Sequence, residues 1–179
     1  ADLARIIAGG AHWIFEPDKD SFVGIMPREG TVSDMRWFRG PARSAFHFMN
    51  AYTEGARVHL DFGCGKTSPF PFIREASNIH IRPEEMAGNL VRWTFDLSKP
   101  GEKWEETILG PGGDMPRVAD KDALVDYDVG YYETFDPGVG PPLVAGPVGA
   151  GFNAILRIEL KSGKVRRLPM DHRSTVQEH

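Results

Sequence analysis

A chain of 179 residues with 41% hydrophobic and 11% aromatic side chains is long enough to bury one sizeable core, which excludes a disordered or fibrous segment. Its 21 Lys and Arg against 25 Asp and Glu leave a net charge of −4, and the basic residues are scattered, so a nucleic-acid-binding face is not expected. The single cysteine, Cys64, excludes an internal disulfide framework and a cysteine-built zinc site, and it fits a reducing, cytoplasmic compartment.

No run approaches the ~20 apolar residues of a membrane-spanning helix, and no basic segment followed by an apolar signal core opens the chain. Ala1 stands where an initiator Met is expected, so the chain reads as processed or as starting partway through a longer protein. A short helix is expected over Asp2 to Ile7. Strands are predicted at Ala11 to Phe15, Ser21 to Met26, Met35 to Phe38, Ser44 to Tyr52 and Arg57 to Phe62, where residues alternate with period two. A second short helix is expected at Arg82-Pro83-Glu84-Glu85-Met86, whose Pro and early acids suit a helix start. Further strands follow at Leu90 to Asp96, Glu105 to Leu109, Val129 to Phe135 and Ala154 to Leu160, with Ser162-Gly163-Lys164 turning the last into Val165 to Leu168. With 20 Gly and 14 Pro between short β-branched and aromatic runs, the fold class is all-β, built from successive meanders as in a propeller or a sandwich. The uncharged Gly/Pro segment after Asp136, up to Gly151, reads as an ordered loop packed on other structure. One domain is expected over residues 1–179.

Two glycine-rich segments imitate nucleotide-binding loops. Gly63-Cys64-Gly65-Lys66-Thr67 lacks the first glycine of a phosphate-binding loop, since Leu60 occupies that position, and it runs into Pro69-Phe70-Pro71 instead of a helix. Gly149-Ala150-Gly151 is followed by an alternating strand, not by the helix that a dinucleotide site needs. Neither is read as a ligand site. The carboxylates form no obvious acid/base pair, and there is no Gly-x-Ser-x-Gly elbow.

None of the six histidines, His12, His47, His59, His80, His172 and His179, forms a pair at local metal-ligand spacing. His59 falls on the polar phase of its strand, and His80 lies in Asn78-Ile79-His80-Ile81; a surface or hydrogen-bonded role is expected for both. His47 differs because it sits in the apolar, aromatic strand Phe46-His47-Phe48-Met49-Asn50-Ala51-Tyr52. An imidazole there needs a partner, either a hydrogen-bonding group in the core or a metal, and local spacing leaves both open.

The combination of Arg36-Trp37-Phe38, Phe46 to Tyr52 and Val58-His59-Leu60-Asp61 resembles the carotenoid cleavage oxygenase family, and the match extends through Gly113-Asp114-Met115-Pro116-Arg117. Phe70-Pro71-Phe72-Ile73-Arg74 and Ser174-Thr175-Val176-Gln177-Glu178 are most similar to its lignostilbene dioxygenase branch. The resemblance implies part of a seven-bladed β-propeller that holds Fe(II) on its axis through four histidines from different blades. His47 matches the third ligand; the first two are then expected upstream of Ala1 and the fourth beyond His179. Glu178 matches a carboxylate that orients a ligand ring, and Asp114 falls at another such position, where many relatives carry Glu. Phe70 matches an aromatic lining the substrate cavity. The implied activity is cleavage of a conjugated C=C bond by O2 into two carbonyl products, with a phenolic stilbenoid favoured over an apocarotenoid. The alternative from another class is a non-catalytic propeller module that binds an apolar ligand or a protein partner.

Overall fold

The computed structural model describes residues 3–10, 14–67, 88–139, 152–171 and 173–176, and they are mostly β. A single five-residue helix, α1 (Leu3–Ile7), precedes ten strands. These are β1 (Ser21–Ile25), β2 (Arg36–Gly40), β3 (Ser44–Glu54), β4 (Arg57–Gly65), β5 (Asn89–Asp96), β6 (Glu105–Pro111), β7 (Asp114–Arg117), β8 (Val129–Thr134), β9 (Ala154–Glu159) and β10 (Lys164–Pro169). No described helix is long and apolar enough to cross a membrane.

The strands form three antiparallel sheets in chain order: β1-β2, then β3-β4-β5-β6, then β7-β8-β9-β10. Strands consecutive in sequence are neighbours, which makes each larger sheet a meander. Between Glu54 and its ladder partner Arg57 lie only Gly55 and Ala56, and Gly55 supplies the positive φ of +58° that such a tight hairpin needs. The expected turn at Ser162-Gly163 likewise joins β9 to β10, with Gly163 at φ +67°.

The central strands of the middle sheet, β4 and β5, are covered on both faces. One face packs Phe62, Cys64, Val91, Trp93 and Phe95 against Phe38 of β2, with Val23 and Ile25 of β1 beside them. Edge-to-face aromatic pairs set its geometry, with Phe38 and Phe95 centroids 5.0 Å apart and Phe62 and Trp93 4.7 Å apart. The other face packs Met49, Tyr52 and Leu90 against Tyr127, Tyr132, Leu156 and Ile158.

This double burial corrects the surface role expected on the polar phase of β4. His59 and Asp61 share the supposedly polar phase, yet they are 7% and 0% exposed because the third sheet covers them. Hydrogen bonds offset the burial at Asp61 and at one ring nitrogen of His59, whose Nε2 has no hydrogen-bond partner among the described residues. His59 Nδ1 pairs with Thr94 Oγ1 at 3.0 Å, so the hydrogen-bonded half of the reading for His59 holds and the surface half does not. Arg92 donates to both oxygens of Asp61 at 2.8 and 2.7 Å, and Tyr127 donates its hydroxyl to Oδ2 at 2.6 Å. The bond to Asp61 pushes the Arg92 pKa further up, and burial followed by the Asp61 charge does the same for the Tyr127 hydroxyl.

Two further differences concern strands. Ile14 and Phe15 carry no regular structure, and the remainder of the expected Ala11 to Phe15 strand lies outside the described residues. β7 was not predicted, since Asp-Met-Pro-Arg is too short to alternate and contains a proline; the strand exists at the sheet edge, where Pro116 is tolerated. The expected helix at Arg82 to Met86 and most of the Gly/Pro segment up to Gly151 lie outside the described residues.

Candidate functional site

Among the described residues β3 is an edge strand, paired only with β4, and it is irregular where His47 sits. The ladder runs from Ala45 opposite Cys64 to Phe48 opposite Phe62, so Phe46 and His47 together face the single residue Gly63. A second irregularity falls between Phe48 and Asn50, at Met49. A bulge re-aims the side chains it carries, which lets an imidazole in an apolar strand turn out of the strict alternation. His47 is accordingly half-buried, with its ring edge-on to Phe46 at a centroid distance of 4.2 Å.

Asp114, at the start of β7, meets it. His47 Nδ1 and Asp114 Oδ1 are 3.0 Å apart, with about a third of each side chain exposed, 35% and 31%. A carboxylate only accepts hydrogen bonds, so Nδ1 carries the proton and the lone pair of the neutral ring is left on Nε2. Nε2 makes no hydrogen bond among the described residues.

Two glycines allow this approach. A Cβ on Gly63 would lie 2.5 Å from the Gly113 carbonyl oxygen, and one on Gly113 would lie 2.1 Å from the Glu133 carbonyl oxygen. The backbone before Asp114 is therefore wedged between β4 and β8, and Thr134 Oγ1 fixes it further by donating to the Gly112 carbonyl at 2.9 Å. On the other side of Asp114, Met115 has φ +50°, a conformation that residues with a side chain rarely adopt, and the β7–β8 register slips between Asp114 and Arg117. Strained backbone aims the carboxylate at the ring.

Chemically this is an imidazole whose Nδ1 is buttressed by a carboxylate, an arrangement that in metal sites orients the ligand histidine and raises its basicity. Among the described residues no group of three or more His, Cys, Asp or Glu could hold a metal. Glu178 and Phe70 lie outside the described residues, as do His12, His80, His172 and His179. Cys64 is buried on the face of β4 that packs against β2, where burial pushes its thiol pKa up to about 12.

Sequence reasoning passed over Asn50 and Asp61. They face each other across the β3–β4 ladder and both hold the connector between β7 and β8, Asn50 through Asp122, Leu124 and Val125 and Asp61 through Tyr127. The available signal was Asp61 on a strand flanked by apolar residues, where a carboxylate needs partners.

The family model described as retinal pigment epithelial membrane protein matches residues 1–179. Isoeugenol monooxygenase of Pseudomonas putida is 34% identical over 136 residues, which are 75% of this chain and 28% of that protein. Lignostilbene-alpha,beta-dioxygenase isozyme III of Sphingomonas paucimobilis is 30% identical over 138 residues, 74% of this chain and 28% of that protein. The crystal structure of Pseudomonas brassicacearum lignostilbene dioxygenase superposes with a TM-score of 0.82 at 30% identity, covering 99% of this chain and 38% of that one. The chain thus spans between a quarter and two fifths of the length of these relatives. It belongs to the retinal pigment epithelial membrane protein family, the family of the carotenoid and lignostilbene cleavage oxygenases.

Proposed function

We propose that this chain is part of an Fe(II)-dependent dioxygenase that cleaves a conjugated C=C bond into two carbonyl products. The observation that carries the reading is the bond between His47 Nδ1 and Asp114 Oδ1, because it leaves the Nε2 lone pair as a ready ferrous ligand. Neutral imidazole suits Fe(II), and the carboxylate that fixes its tautomer fits the same role, so this residue pair fits the metal. The other three ligands are histidines on segments that the relatives have and this chain does not span. In the same reading the stacked meanders are blades of a seven-bladed propeller, with the β1–β2 pair belonging to the blade before.

When bound, Fe(II) supplies the centre at which O2 is activated beside the alkene. His47 binds the metal, and Asp114 keeps the Nδ1 proton in place, so the ring cannot flip its tautomer. Phe46, 41% exposed and with its ring centroid 4.2 Å from that of His47, presents aromatic surface that excludes water from an apolar substrate. Phe70 and Glu178 take the roles that the resemblance implies, stacking on the substrate and orienting another ligand ring. Both oxygen atoms of O2 end in the products, one in each carbonyl.

The names of the relatives support an aryl-conjugated, phenolic alkene over an apocarotenoid. The test is incubation of the iron-loaded full-length protein with a hydroxystilbene, isoeugenol or an apocarotenal under isotopically labelled O2. Paired aldehydes that each carry the label are expected from a phenolic alkene. Cleavage of the apocarotenal alone would overturn the substrate class, and a folded, iron-free protein would overturn the chemistry in favour of a non-catalytic binding module.

A further inference from the structure

We infer that Asn50 is a positioning residue for His47: its carboxamide staples the β7–β8 connector onto β3 and so holds Asp114 at bonding distance from the imidazole. The inference rests on the reading of His47 as an iron ligand. Asn50 is 7% exposed and its carboxamide is fully used. Nδ2 donates to the carbonyls of Asp122 at 2.9 Å and Val125 at 3.2 Å, while Oδ1 accepts from the backbone N–H groups of Leu124 at 2.9 Å and Ala51 at 3.0 Å. Two donors and two acceptor sites are all that an amide side chain offers.

Those bonds hold a strained loop. Leu124 sits at φ +66°, which a leucine does not adopt without external support, and its N–H is one of the groups that Asn50 binds. Asp61, the cross-strand partner of Asn50, takes the same connector through the Tyr127 hydroxyl at 2.6 Å. The connector is thereby pinned at two adjacent points to the β3–β4 ladder, and its N-terminal end is β7, which carries Asp114.

β3 needs such a support near His47. It is an edge strand with ladder irregularities on both sides of Phe48, so pairing with β4 alone specifies its local path weakly. Asn50 lies three residues, about 10 Å, along the strand from His47. One end of a frame is the His47–Asp114 bond and the other is Asn50 on residues 122–125. Loosening the second end lets β7 drift from β3 and lengthens the first.

The test uses the full-length protein and reads ferrous affinity by chelator competition, together with the ligand-field spectrum of the Co(II)-loaded form. Asn50→Ala is expected to weaken iron binding about tenfold, the scale of a lost supporting contact, and to shift the Co(II) bands. In an Asp114→Ala background the same change should cost less than about twofold, because Asn50 acts through Asp114. Asn50→Ser, a smaller lesion, serves if Asn50→Ala does not fold. Full additivity with Asp114→Ala, unchanged iron affinity, or loss of folding in both Asn50 variants would overturn the inference. An iron-free wild-type protein would instead overturn the underlying reading of His47.

Discussion

The hydrogen bond between His47 and Asp114 joins two different sheets, reaching from a bulge in β3 to the first residue of β7 across 67 positions of sequence. Neither residue is placed by regular pairing alone. The bulge turns the imidazole out, and the Gly113 wedge and the left-handed Met115 turn the carboxylate in.

Replacing Asp114 with Ala should lower ferrous affinity of the full-length protein about 10- to 100-fold while leaving the fold intact, as a lost carboxylate partner of a ligand histidine does. Asp114→Glu should retain most of the affinity, since the longer arm still reaches Nδ1. Metal analysis after dialysis against a chelator reads both.

Gly113→Ala places a methyl group 2.1 Å from the Glu133 carbonyl oxygen, which requires β7 and β8 to separate. A loss of about 1–3 kcal/mol is expected from such overpacking. Chemical denaturation followed by tryptophan fluorescence measures it, and Trp93 and Trp104, with centroids 4.3 Å apart in the core, report the transition.

Asp61→Ala leaves the Arg92 guanidinium and the Tyr127 hydroxyl without their shared acceptor between two sheets. Removing one partner of a buried pair costs about 3–5 kcal/mol. Tyr127→Phe, which deletes a single hydrogen bond and keeps the ring in the core, should cost about 1 kcal/mol. Thermal unfolding of the two variants should preserve that order.

Burial holds the His59 pKa below its ordinary value of 6.5, so the folded protein favours the neutral ring. As pH falls through the unfolded value the unfolded chain takes up the proton first, and stability contributed by neutral His59 is lost progressively below about pH 6.5. His59→Gln should flatten the decline in the unfolding midpoint between about pH 7.5 and about pH 5.5. An equally steep decline in that variant would assign the dependence to other groups.

With its pKa pushed up to about 12 by burial, the Cys64 thiol carries almost no thiolate at neutral pH. An aromatic disulfide reagent should therefore leave it unmodified in the folded protein and react promptly in denaturant.

The strands were legible wherever side chains alternate or β-branched and aromatic residues cluster between turns. β3 from Ser44, β4 from Arg57 and β9 from Ala154 begin at the expected residues. Alternation did not reveal which phase faces water, because His59 and Asp61 read as polar and are buried. That outcome depends on a second sheet covering the first and on Arg92, Tyr127 and Thr94 arriving to bond them. β7 escaped because four residues with a proline carry no period.

By itself the sequence determined an all-β chain, an imidazole in an aromatic strand and a family resemblance, since each of these is written in local pattern. Only the tertiary structure decided that the imidazole meets Asp114, that Nε2 is the ring nitrogen this bond leaves over, and that Asn50 bonds residues 122, 124 and 125 of the β7–β8 connector. Bulges, close glycine contacts and a left-handed methionine make that geometry, and they arise from the packing of sheets that are far apart along the chain.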